Sequence, residues 1–449
     1  MLSTQPTPVP KIEDVMVIEK EFAASYMKSE VEDLEGSTVG RTNFTETEQK
    51  KILRKIDFRL LPILAAMYAI SLMDRTNLGL AAVAGMNDDL NLIGNRYTII
   101  IMVFFVMYII FEIPSNLVLQ KAGPANWLAF LGISFGSILI GMGFTKSFET
   151  MALCRALLGA TEAGFLPGCT FLISCWYKRL GAFWILSVLV GGFAAVFAYV
   201  LTLLKGKQGL NGWQWIFIIE GAITVVICFT GWFLIVDFPG KAKFLTPTER
   251  KYAVERINDD RGDGEQDKIT MRLIIHHLAD PKLYAFSFML MSSTLPGYAY
   301  SYFLPIIFKD GLGYSTSKSQ LMSAPPYVLA AILTYTSSWL ADRFHIRGPV
   351  IAFHQAMTFT ANNITSHSKR AVAAGTCMMG GGLGGIIASV AFRSEDSPGY
   401  QTGVYTTLGL SLISITIIAV MMLWFRHCNM QVRAGTRRIN GLEDWYYTY

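Results

Sequence analysis

Long apolar runs alternate with short polar connections along most of this chain. The runs fall at 60–86, 97–120, 127–144, 151–177, 183–204, 215–237, 284–308, 320–341, 371–392 and 402–425. A helix crosses ~30 Å of hydrocarbon with roughly 20 largely apolar residues. The pattern therefore predicts an all-α polytopic membrane protein with ten full spans.

The polar stretches set the orientation. Residues 1–49 are polar and rich in acids, which predicts a disordered tail, and Lys50, Lys51, Arg54, Lys55 and Arg59 then press against the first run. Bases gather at the cytoplasmic ends of spans, so the tail belongs in the cytoplasm. Lys121 after the second run, and Lys178 and Arg179 after the fourth, lie on the same side. Residues 50–238 thus form a six-span half, 239–283 a charged cytoplasmic loop, 284–425 a second half and 426–449 a cytoplasmic tail. Two six-span halves joined by such a loop are a common transporter plan.

The second half falls short of six. Between Arg347 and Lys369 only Val350 to Phe359 is apolar, about half a span by the thickness rule. Were that piece to cross, the tail with Arg426, Arg433, Arg437 and Arg438 would sit outside, against the charge rule. The expectation is that it dips in or is displaced, leaving both termini cytoplasmic.

Composition agrees with a bilayer setting: 52% hydrophobic and 16% charged residues, with a mean hydropathy of +0.39. The net charge of +5 comes from bases at the ends of apolar runs and is no evidence for nucleic acid. The six cysteines show no metal spacing and read as small buried hydrophobes. No phosphate-loop or dinucleotide spacing occurs, which argues against an ATP-driven pump, and no nucleophile–base pair suggests an enzyme. No cofactor or metal is expected, and the chain is expected to work as a monomer.

Charges inside the runs carry the chemistry. Asp74 and Arg75 lie in the first run and Arg155 and Glu162 in the fourth; each costs ~2.5–3.5 kcal/mol at the centre of a span, so they are rarely decoration. Arg155 and Glu162 are seven apart, two turns of one helix, and point the same way. Entering from outside, Arg155 lies about 7 Å down and Glu162 near the midplane at 1.5 Å per residue. The four groups share overlapping depths, either as a static ion-pair network that fixes packing or as a transport site. Their number at one depth favours the second. Glu112, in a run with Pro114, is a candidate gate; Glu220 reads equally as an interfacial anchor. Tyr108, Tyr298, Tyr300 and Tyr302 could stack on an aromatic ring, with Tyr300 or Tyr302 as the candidates to line a cavity, and Asn77 could hydrogen-bond across helices.

The stretches RKIDFRLLPILAAMYAISLMDRTNLG, FEIPSN at 111–116, RALLGATEAGFLPG at 155–168, WQWIFIIEG at 213–221, SSTLPGYAYSYFLP at 292–305 and WLADRFHIRGPV at 339–350 resemble the anion:cation symporter branch of the major facilitator superfamily, close to fungal allantoate and nicotinate permeases. The likeness runs from about Thr45 to Trp424. It implies a major facilitator fold of two helical halves and proton-coupled uptake of a small organic anion by alternating access, in the plasma membrane. Carried over residue by residue, it implies proton coupling at Asp74 and Glu162. Arg75 becomes the carboxylate clamp, and Arg155 pairs with the acids as they discharge. Asn77, Tyr108, Tyr300 and Tyr302 stand as further candidates for substrate binding. Asp342 and Arg343 with Arg347 resemble the superfamily's gating motif, joined by Glu112.

Two departures stand against the likeness. The connection at 176–181 is shorter than relatives carry, and the ninth and tenth spans are missing. The alternatives are a non-transporting sensor or an inactive, mis-spliced variant, and an exporting antiporter.

Overall fold

The structure is a computed structural model and describes residues 44–176, 183–236, 242, 244–261, 276–344, 363–364, 367–396, 399–436 and 446–447. Regular structure among the described residues is helical, and each of the ten apolar runs is helix over most of its described residues. The half-apolar piece at 350–359 lies outside the described residues.

Helix α1 spans Glu46–Ala81. Its start is fixed by a capping box, in which the Thr45 backbone N–H donates to Glu48 Oε2 at 2.9 Å. It continues through a wide π-turn, Ala82–Met86, where Gly85 takes φ 110°, a conformation that suits glycine alone. Helix α2, Arg96–Ala122, ends at Gly123 with φ 82°, and Pro124 opens α3, Pro124–Met142, at its first position. The fourth run is divided. Helix α4, Phe148–Glu162, stops immediately after its acid, and α5, Phe165–Trp176, resumes two residues later. Helices α6, Phe183–Thr202, and α7, Gly212–Leu234, complete the first half. Four helices among the described residues are long and apolar enough to cross a membrane: α1 with its extension to Asp89, α3, α7 and the last helix, Gln401–Arg433.

After a polar helix α8, Pro247–Arg261, come α9, Pro281–Ile306, a short α10, Thr316–Met322, and α11, Ala324–Phe344. Then follow α12, His367–Ala391, and α13, Gln401–Arg433. Within the first half α1 packs on α6 and α7, α2 on α4, and α3 on α7; within the second, α9 packs on α12 and α13. The halves meet where α2 crosses α12, α6 crosses α11 and α1 crosses α9. The glycine-rich stretch of α12 makes the first crossing close. A Cβ on Gly385 would lie 2.2 Å from the Phe105 ring, and one on Gly382 would lie 2.7 Å from Ile109.

At the end of the bundle where α1 finishes, hereafter the far end, the halves are tied by backbone acceptors of the wide turn and of the residues just before it. A widened ladder opens carbonyls to outside donors. Val83 O accepts from Lys309 Nζ at 2.9 Å and Thr316 Oγ1 at 3.2 Å, and Leu80 O accepts from Gln320 Nε2 at 3.2 Å. Tyr97 Oη donates to Tyr302 O at 3.0 Å nearby.

At the opposite end, Asp280 caps α9 through the Lys282 backbone N–H at 3.0 Å and accepts from Lys369 Nζ of α12 at 2.5 Å. Partial burial pushes its carboxyl up. The Lys369 ammonium, the Lys282 N–H and the charges of both lysines outweigh that effect and hold it below the usual aspartate range. A carboxyl depressed in the folded state contributes stability above its unfolded pKa of ~3.9, lost as pH falls through the lower folded value. Asp280→Ala is expected to cost about 1 kcal/mol through the lost cap. The loss should show as a lower Tm in detergent at pH 7, with the gap to the native chain closing in strong acid.

Candidate functional site

Residues 71 and 75 share one face of α1, one turn apart, and that face meets the end of α4. Arg75 Nε donates to Glu162 Oε1 at 2.6 Å, and Ser71 Oγ donates to the same oxygen at 2.8 Å. Glu162 is 1% exposed and Arg75 8%, so the pair is a desolvated ion pair whose geometry matters more than that of any surface bridge. Close packing brings α4 to this position. A Cβ on Gly159 would stand 2.2 Å from Phe104 O, and one on Gly164 would overlap the Ser115 side chain. The sequence divides the helix at the small residues just past Glu162, which leaves that acid on the final turn of α4.

Arg75 reaches across to the second half. Its Nη1 donates to Tyr298 Oη at 3.1 Å, and its guanidinium carbon lies 5.3 Å from the centre of the Tyr108 ring. Phe105 meets Tyr298 edge-on at 4.7 Å, so α2 and α9 enclose the arginine in aromatic rings. Arg155 lies two turns before Glu162, buried over the Phe104 ring at 5.0 Å, with its Nε and Nη2 lacking hydrogen-bond partners. Glu112 is one turn beyond Tyr108 on α2; it is buried, with neither carboxyl oxygen partnered.

Asp74 leaves α1 on a different face from Arg75. It is 1% exposed, neither of its oxygens has a hydrogen-bond partner, and it stands among the charges of Glu220, Glu162, Arg155 and Arg75. Asn77, one turn on, donates from Nδ2 to Glu220 Oε2 of α7.

Three residues expected to contact substrate, Asn77, Tyr300 and Tyr302, lie away from Arg75. Asn77 makes the cross-helix hydrogen bond open to it, toward α7, and so faces away from the aromatic enclosure around Arg75, on the Asp74 side of α1. Tyr300 is more than half exposed, since positions 298 and 302 share a face of α9 and position 300 points away. Tyr302 is fully buried and stacks on Tyr298 at 6.4 Å, supporting the wall and not touching Arg75 by any hydrogen bond described. Tyr298 takes the place expected of Tyr300. Glu220, read equally as an interfacial anchor or a functional acid, is 1% exposed and is the ninth residue of α7. Asp342 and Arg343 lie in the last turn of α11, their side chains outside the described residues together with all of Arg347.

Two helical groups meeting along three crossings, with buried charges gathered on α1, α2, α4 and α7, form the architecture of a helical membrane transporter. The Major Facilitator Superfamily profile matches residues 64–361, more than half of the chain. A transporter of Schizosaccharomyces pombe is 31% identical, the match covering 90% of this chain and 92% of that one. The MFS-type transporter cnsO of Penicillium expansum is 30% identical over 90% and 88%. The high-affinity nicotinic acid transporter of Saccharomyces cerevisiae is 26% identical over 88% and 82%. In fold, the chain is similar to the xylose transporter XylE of E. coli in a partially occluded inward-open form. That likeness has a TM-score of 0.56 at 10% identity and covers 80% of this chain and 98% of that one. The chain belongs to the major facilitator superfamily and is a multi-pass membrane transporter, with fungal permeases among its relatives.

Proposed function

We propose that this transporter takes up a small organic anion together with protons by alternating access, and that an aromatic carboxylate such as nicotinate is the first substrate to try. The observation that carries this reading is the buried pair of Arg75 and Glu162, at 2.6 Å inside a wall of aromatic rings. A guanidinium binds a carboxylate through two parallel hydrogen bonds. A proton on Glu162 cancels the charge that holds Arg75 and releases the guanidinium to the incoming anion, so the two ligands are coupled through one arginine. Tyr108, Phe105 and Tyr298 then present ring faces and edges to a flat substrate. Asp74 is the second acid of the cycle, Arg155 the base that answers the acids as they discharge, and Glu112 a gate below Tyr108. The two halves, 50–238 and 284–425, rock about this site. The bases before the first span keep both termini in the cytoplasm of a plasma-membrane protein, so the tied far end faces outside. The relative named for nicotinic acid supports the substrate class.

Uptake of radiolabelled nicotinate by permease-null cells across an inward proton gradient tests the reading. The native chain should accumulate label uphill. Glu162→Gln should still exchange label but only equilibrate, with accumulation reduced at least tenfold. Uphill accumulation by the glutamine variant, or indifference of the native chain to the gradient, would overturn it.

A further inference from the structure

The pairing of Asn77 with Glu220 is incomplete in a way that a proton completes. Asn77 is wholly buried and Glu220 is 1% exposed. One hydrogen bond joins them, from Asn77 Nδ2 to Glu220 Oε2, and the other two acceptors of the same pair, Asn77 Oδ1 and Glu220 Oε1, have no donor. An amide and a carboxylate share only one hydrogen bond of this kind, whereas an amide and a carboxylic acid can share two, because the acid brings an O–H. Two buried acceptors lacking one donor are costly, and a single proton on the carboxyl supplies it.

Among the described residues of the helices packed on α7, no cation faces the pair. Glu220 lies on α7, which packs against α1, α3 and α6. Helix α3 carries no Asp, Glu, His, Lys, Arg, Tyr or Cys, and α6 carries Tyr199 as its one titratable side chain. Cys228 lies two turns along α7 itself and within electrostatic reach of Asp74. On α1 the facing groups are Asn77 and Asp74; Arg75, on the other face, holds Glu162. An anion buried without a counter-charge is among the most expensive arrangements a protein can hold. Asp74, also buried and without a hydrogen-bond partner, stands among the charges of Glu220, Glu162, Arg155 and Arg75.

We propose that Glu220, held by Asn77, is a proton-binding site of this transporter, set behind α1 and separate from the Arg75–Glu162 pair. The role of the site in transport rests on the proton-coupled reading above. Asn77 is then a positioning residue for the acid rather than a contact for the anion.

The test is the infrared spectrum of the full chain in lipid nanodiscs, recorded as a difference between pH values. The signal is the C=O stretch of a protonated carboxyl. The native chain should show such a band, Glu220→Gln should lose it, and Asn77→Ala should move it to higher frequency as the amide's hydrogen bond disappears. Where Glu220→Gln does not fold, Glu220→Asp serves, with a displaced band expected. A Glu220→Gln spectrum that superimposes on the native one overturns the proposal. Proton-to-anion ratios measured in parallel separate the two readings. A lost band with proton-independent native uptake sinks the symport reading and leaves the proton site standing. Proton-driven native uptake with an unchanged band does the reverse.

Discussion

Replacing Arg75 with lysine should lower kcat/KM for carboxylate uptake by roughly 10²-fold or more, although the charge is kept. The guanidinium makes two directed bonds to different partners, Nε to Glu162 and Nη1 to Tyr298, while lying over the Tyr108 ring. An ammonium on a flexible stem cannot hold that fork, and it would bind a carboxylate as a point charge. Arg75→Gln should be worse, because it leaves Glu162 buried with Ser71 as its donor. Breaking one side of a buried pair costs about 3–5 kcal/mol of stability, so lost uptake should come with a loss of folded protein. The double variant Arg75→Gln, Glu162→Gln should recover folding, read as a sharp gel-filtration peak, without recovering uptake. Near-native uptake by Arg75→Lys would remove the arginine from the site.

The second large effect is expected at Gly79. A Cβ there would stand 2.4 Å from Ser301 O and 2.9 Å from Tyr302 O, and the obstacle is backbone, which does not swing aside as a side chain does. Gly79→Val should force α1 and α9 apart at the far end, pulling Val83 and Leu80 from Lys309, Thr316 and Gln320. Overpacking of this kind costs about 1–3 kcal/mol, and when the strain falls on one of two conformations it shifts their ratio by roughly 5–150-fold. A cysteine placed at Thr316 should then react with a membrane-impermeant maleimide several-fold to a hundred-fold faster than in the Gly79 background. Unchanged labelling together with normal uptake would show that the close approach is not a gate.

How far the sequence carried the fold and the site differs by kind of feature. The apolar runs were legible because a bilayer imposes one length on every span, and Asp74, Arg75, Arg155 and Glu162 stood out because charge in hydrocarbon is rare. Rotational phase was not legible. A helix apolar on all sides gives no stripe to say which face meets protein, so Tyr298, Tyr300 and Tyr302 could not be told apart until α9 was set against α2. The burial of Glu220 was not legible either, because the apolar run begins at Trp215 whereas the helix begins at Gly212. The division between α4 and α5 was hidden as well. It depends on the Ser115 and Phe104 atoms that crowd Gly164 and Gly159, which come from another helix.

Neighbouring positions leave a helix about 100° apart, so Arg75 and Asp74 answer to different partners while belonging to one rigid rod. Turning that rod on its axis cannot shift one without shifting the other. A twist of ~20° carries a group ~7 Å from the axis through about 2.4 Å, several times the ~0.5 Å spread of hydrogen-bond lengths. A rotation of α1 set off in the aromatic chamber would therefore reach the Asp74 side of the helix in the same movement.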